Sequence, residues 1–187
     1  MNIVNKKTID FESRQVIIND IPVPINNNLL SKNFKTQLLD WRKHLLLAID
    51  DVDNKCVLIF DALFIVELWL KLLLIERLPL LSFNHFIEDC GINLDGRSGF
   101  SLDMVRHNIG KTLKALINSN LFVTERNVLT YILERCEFLA QEALLQKIDN
   151  YSDLKYNYKN DRQFTYDVKV DMNLKVEIRR LLEYANS

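Results

Sequence analysis

Two groups of residues in this chain have the types and spacing to do chemistry. The first is Arg106, His107, Lys111 and Lys114, in the stretch RHNIGKTLK. On a helix, His107, Lys111 and Lys114 fall within about 60° of arc, opposite a leucine stripe, with Arg106 toward the edge. Basic groups gathered on one turn and a half can hold a phosphate, and an ordinary histidine can move a proton near neutral pH. A solvated helix face has the same pattern. The second group is Glu67 and Lys71, four residues apart with the acid first, the better order for an ion pair within a helix. Leucines surround them. The pair therefore either steadies a bundle from inside or forms the wall of a cleft, and an unpaired buried member would be costly.

A third stretch interleaves aromatic and basic residues: Tyr151, Lys155, Tyr156, Tyr158, Lys159, Arg162, Phe164 and Tyr166. That composition suits base stacking with phosphate contact, and here Lys155 and Tyr156 join Lys111 and Lys114 as candidate phosphate or RNA contacts. It equally suits an irregular strap whose tyrosines cover the protein and keep their hydroxyls wet.

Other chemistries find no footing. Ser82, Ser98 and Ser101 lack the G-x-S-x-G setting, and no phosphate-cradling G-x(4)-G-K-[ST] loop occurs. Asp50, Asp51 and Asp53 lack the spacing of a calcium loop and read as a helix start. Cys56, Cys90 and Cys136 are odd in number and scattered, which is no disulfide framework and no zinc site. No metal or cofactor is expected, and reduced thiols fit a cytoplasmic protein. The first fifteen residues carry no apolar core of a secretory signal. A net charge of −1 removes any whole-chain attraction to nucleic acid, so a basic site must be local.

The elements that must position these residues are mostly helical. Hydrophobic residues make up 48% of 187, with only four glycines and three prolines, a composition for long helices around one core. Residues 1–30 form an extended segment: Ile9, Phe11, Val16 and Ile18 alternate with polar neighbours, and Pro22 and Pro24 exclude a helix. A short hairpin or edge strand fits, with a break at Asn26, Asn27 and Asn28.

Residues 31–187 read as a bundle of four to five helices. The first runs over 31–50 on a face of Phe34, Leu38, Trp41, Leu45 and Ala48. The second runs over 56–78, where Pro79 stops it. It is apolar nearly all round. Charges at Asp61, Glu67, Lys71, Glu76 and Arg77 interrupt it too often for a membrane span, where each central charge costs about 2.5–3.5 kcal/mol. It is expected to be the central helix, buried in the bundle or between subunits.

A third helix over 103–118, capped by Ser101 or Asp103, buries Val105, Ile109, Leu113, Leu116 and Ile117. Thr124 caps a fourth over 125–149, with a face of Val128, Ile132 or Leu129, Cys136, Leu139 and Leu144. Residues 150–167 are irregular, and a last helix over 169–185 buries Leu174, Ile178, Leu181 and Leu182.

Three segments resemble one family. ALFIVELWLKLLL (62–74) is similar to the second helix of HEPN domains, with its A-x(4)-E-x(3)-K-x-L-L pattern, and places Glu67 and Lys71 at the acid and the base. RHNIGKTLKALI (106–117) resembles the family's G-H-D-L-x-x-L-x-x-L helix, with His107 at the histidine. DLKYNYKN (153–160) resembles its L-R-Y segment, with Lys155 and Tyr156 matching. The order is the family's, over roughly residues 31–185.

The resemblance implies a homodimeric all-α bundle of toxin–antitoxin or antiviral systems, found beside a nucleotidyltransferase or antitoxin partner. It implies RNA or nucleotide binding and, in active members, metal-independent RNA cleavage by an R-x(4–6)-H motif. This chain departs from that motif. None of His44, His85 and His107 has an arginine five to seven residues before it, and Arg106 and Asn108 replace the glycine and aspartate beside His107. The expectation is therefore a degenerate, non-catalytic module in bacterial defence. The alternatives are a ribonuclease with a rearranged site, using His107 with Arg106 or Arg97 and the Glu67/Lys71 pair, and a regulatory adaptor.

Overall fold

A computed structural model describes residues 7–10, 15–18, 21–24, 27–77, 105, 108–118, 122–154 and 170–185. Three short strands open the chain: β1 (Lys7–Asp10), β2 (Gln15–Ile18) and β3 (Ile21–Pro24). They form an antiparallel sheet in the order β1-β2-β3, with Thr8 opposite Ile17 and Val16 opposite Val23. The extended segment thus pairs as three strands where a short hairpin or an edge strand was expected. Pro22 and Pro24 lie in β3, an edge, where a residue without an N–H leaves no ladder bond unmade.

Among the described residues five α-helices and one 3-10 helix follow: α1 (Asn27–Ala48), α2 (Lys55–Arg77), α3 (Ile109–Asn118), α4 (Arg126–Glu142), the 3-10 helix Ile148–Asp153, and α5 (Met172–Tyr184). The fold is an all-α bundle. Asn27 and Asn28, expected to break the chain, lie inside α1; asparagine favours helix starts as readily as turns. Two residues expected in helical faces also sit differently. Trp41 stays partly exposed and meets the edge of Phe64 with ring centroids 5.1 Å apart. Leu144 is 83% exposed.

The exposure of Leu144 follows from where α4 ends. The expected helix over 125–149 stops at Glu142. Leu144 takes φ 56°, its N–H donates to Gln141 O at 3.0 Å, and the N–H of Leu145 reaches Ala140 O at 2.8 Å. That is a Schellman turn, which satisfies the last carbonyls of a helix and usually has glycine at the left-handed position. A leucine there is strained by about 1–2 kcal/mol. The apolar period continues through Leu144 and Leu145, so periodicity alone carried the helix too far. The N-terminal cap also differs. Glu125 holds the N-cap position of α4 without a side-chain cap bond, and the Thr124 hydroxyl is 2.5 Å from its carboxylate.

Local chemistry sets the other ends. Asn54 caps α2: its side-chain oxygen accepts from Val57 N at 3.1 Å and its carbonyl from Leu58 N at 3.1 Å. Asp171 caps α5 by accepting from Asn173 N at 3.1 Å. Of the expected third helix over 103–118, Val105 is helical and α3 runs over Ile109–Asn118; Asn108 between them is non-helical, and its carbonyl accepts from Thr112 N at 2.7 Å. Ser101 and Asp103 lie outside the described residues. At this end Asp149, from the 3-10 helix, accepts from Gly110 N at 2.8 Å. A carboxylate there satisfies an orphan donor and the positive end of the helix dipole.

The core collects around α2. Leu58, Ile59, Leu63, Ile65, Leu70 and Leu74 are fully buried against α1, α3, α4, α5 and the 3-10 helix. Val105, Ile109, Leu113 and Leu116 are buried, as are Leu174, Ile178, Leu181 and Leu182 of α5. One chain buries α2 by itself, so this helix does not call for a second copy. Among the described residues no helix is long and apolar enough to cross a membrane.

Candidate functional site

The inner pair comes first. Glu67 and Lys71 sit one turn apart on α2, in the middle of the apolar core, at 1% and 7% exposure. Lys71 Nζ donates to Glu67 Oε1, and the two charges satisfy each other. Glu67 Oε2 is buried and has no partner among the described residues, and neither has the buried hydroxyl of Thr112 on α3. The helix puts this pair where charges are costly because α2 is enclosed on every side. Asp61, on the same helix, has its pKa raised by burial.

The basic face of α3 is only partly in view. Lys111 is exposed. Lys114 is exposed too and lies 3.3 Å from Glu137 of α4, which offsets its charge. His107 and Arg106 fall outside the described residues, as do Lys155, Tyr156 and the rest of 155–169; His85 and Cys90 do as well. Of the interleaved tyrosines, Tyr151 is described. It is buried in the core, with its ring 5.7 Å from that of Phe60. The segment from 150, expected to be irregular, begins inside the 3-10 helix.

The sequence reading missed a polar cluster between α4 and α5. The two helices pack antiparallel there, Tyr131 meeting Tyr184 with ring centroids 4.4 Å apart and Arg135 meeting Glu177 at 2.6 Å. Arg180 also reaches Glu177, at 2.8 Å. The Arg135 guanidinium lies 5.3 Å from the Tyr131 ring centroid, within cation–π range. Glu177 is buried beneath its two arginines, and the hydrogen bond from Arg135 holds its pKa below the ordinary value. Burial raises the pKa of Tyr131 against the lowering influence of Arg135. The signals were present in pieces, Tyr131/Arg135 at i,i+4 and Glu177/Arg180 at i,i+3. Their meeting depends on helix pairing, which no local spacing encodes.

The remaining ionic contacts fasten elements together. Asp50 is the hub of one group: its carbonyl accepts from Lys175 at 2.8 Å and its carboxylate from Arg179 at 2.6 Å, which ties α5 to the turn between α1 and α2. Arg42 donates to Leu182 O at 2.8 Å, and Lys55 meets Glu142 at 2.5 Å. Among the described residues no three His, Cys, Asp or Glu side chains converge as metal ligands. Burial raises the pKa of the Cys56 and Cys136 thiols, Cys136 being the fully buried one.

No protein-family model matches the chain, and no curated protein or solved structure matches it either.

Proposed function

We propose that this chain is a non-catalytic HEPN-like module that works by binding, in a cytoplasmic bacterial defence or toxin–antitoxin setting. The observation that carries the reading is the central helix. Glu67 and Lys71 form a buried acid–base pair on a helix that is apolar nearly all round, at the spacing of the family pattern, and the pair is enclosed by an all-α bundle. The non-catalytic part rests on the sequence: no histidine stands at the R-x(4–6)-H spacing. The homodimer and a nucleotidyltransferase or antitoxin partner come from the resemblance alone. The roles of Arg106, His107, Lys155 and Tyr156 rest on residue type and spacing together with the resemblance.

The test is purified protein incubated with RNA. The reading predicts intact RNA. Cleavage abolished by His107→Ala would overturn it in favour of a rearranged ribonuclease site. Light scattering at micromolar concentration addresses the assembly, where a dimer is expected and a monomer removes that part of the proposal.

A further inference from the structure

The α4–α5 cluster has features that a bundle contact does not require. A buried ion pair alone would hold the helices together. Here the pair is framed by two tyrosine rings and a second arginine, and much of that frame is open. Tyr184 is 46% exposed and the Arg180 side chain 57%. Glu177, Arg180 and Tyr184 follow one stripe of α5, while Tyr131 and Arg135 follow one stripe of α4. Arg135 is the inner arginine, fixed by Glu177 and set near the Tyr131 ring. Arg180 is the outer one, steadied by a single hydrogen bond from its Nη1. Charge bookkeeping leaves Arg135, Arg180 and Glu177 with one net positive charge. The exposed Glu134 and Glu183 beside them bring the local sum to −1, so anion binding rests on the Arg180 fork and not on net charge, and Arg179 is committed to Asp50.

We infer that this face binds a nucleoside phosphate, its base stacked on Tyr184 and its phosphate held by Arg180. Aromatic faces accept any base, and an arginine fork fits phosphate geometry. The two rings already touch, so the base stacks on the outer side of Tyr184, not between the rings. Glu177 acts from below by fixing both guanidinium groups before the ligand arrives. One outer arginine fork makes this a site for a single phosphate, either a free nucleotide or one residue of a single strand. The inference deepens the binding reading and rests on it, since a cleaving enzyme would need a different site.

The experiment is fluorescence anisotropy with a labelled single-stranded oligoadenylate, on the full chain, with adenosine monophosphate and inorganic phosphate as competitors. Wild-type protein binds, and Tyr184→Leu and Arg180→Gln each weaken binding about tenfold, as expected where stacking contributes about 1–3 kcal/mol per base. Lys32→Ala, on the exposed part of α1, leaves it unchanged. Affinity falls gently with salt, with a slope of about −0.7 for one phosphate contact on a single strand. The monophosphate competes far better than inorganic phosphate.

Binding that ignores both α5 variants, or a slope several times steeper, overturns the inference and leaves the binding reading in place. Equal competition by inorganic phosphate overturns the stacked base. No binding at all overturns the inference while leaving a protein-binding module. Cleavage of the probe overturns the parent reading instead.

Discussion

The pair inside α2 and the cluster between α4 and α5 use the same chemistry in opposite ways. Glu67 and Lys71 are neighbours on one helix, closed off from water, with one carboxylate oxygen left without a partner among the described residues. Arg135 and Glu177 come from helices 42 residues apart in sequence, and their surroundings open to solvent at Tyr184 and Arg180. A sealed pair raises the cost of disturbance, because each charge depends wholly on the other. A half-open cluster costs less to build and keeps groups free for a ligand. In our account the first steadies the bundle and the second is where it meets other molecules.

Breaking the sealed pair gives the largest effect. Lys71→Met strands the Glu67 charge and is expected to destabilise by about 3–5 kcal/mol in chemical denaturation. Glu67→Leu combined with Lys71→Met should recover to within about 1 kcal/mol of wild type or exceed it, since well-packed apolar replacements of buried pairs are often neutral or stabilising. A double variant as unstable as the single one would show that the pair does more than offset itself.

The cluster should respond less. Glu177→Gln removes the charged acceptor for two arginines and is expected to cost about 1.5–3 kcal/mol. Its pH dependence has a definite sign. The folded pKa of Glu177 lies below the ordinary 4.5, so its contribution is complete above pH 4.5 and is lost as pH falls through the folded value. Asp61 has the reverse sign. Its folded pKa lies above the ordinary 3.8, so it lowers stability as pH rises from 3.8 through the folded value. Denaturation series between pH 2 and 7 should therefore show Asp61→Asn gaining on wild type as pH rises and Glu177→Gln losing ground.

A smaller effect separates fold from site. Leu144→Gly relieves the left-handed residue at the end of α4 and gives up almost no packing, so it should stabilise by about 1 kcal/mol. Ligand binding at Tyr184 and Arg180, on the helix packed beside it, should not change. The smallest effect is at Lys114→Ala, an exposed pair with Glu137 that is expected to contribute less than about 1 kcal/mol.

The contrast also marks how far residue spacing reaches. The helices were legible because their apolar positions recur every three or four residues, and α2 stood out by having no polar face. The i,i+4 pair of Glu67 and Lys71 was legible for the same reason, since both ends lie on one helix. Three features were not. The end of α4 depends on a φ angle at Leu144 that an apolar period cannot reveal. The capping of α3 by Asp149 joins residues 39 apart. The α4–α5 cluster depends on which helices pack together and in which direction. The last two are tertiary contacts between pieces that look ordinary alone.

The most direct measurement is an amide and side-chain chemical-shift titration of the full chain with single-stranded oligoadenylate. The account predicts the largest shifts at Tyr131, Arg135, Arg180 and Tyr184, with Glu67 and Lys71 nearly still. The largest shifts at Glu67 and Lys71, with the α4–α5 residues unmoved, would contradict it.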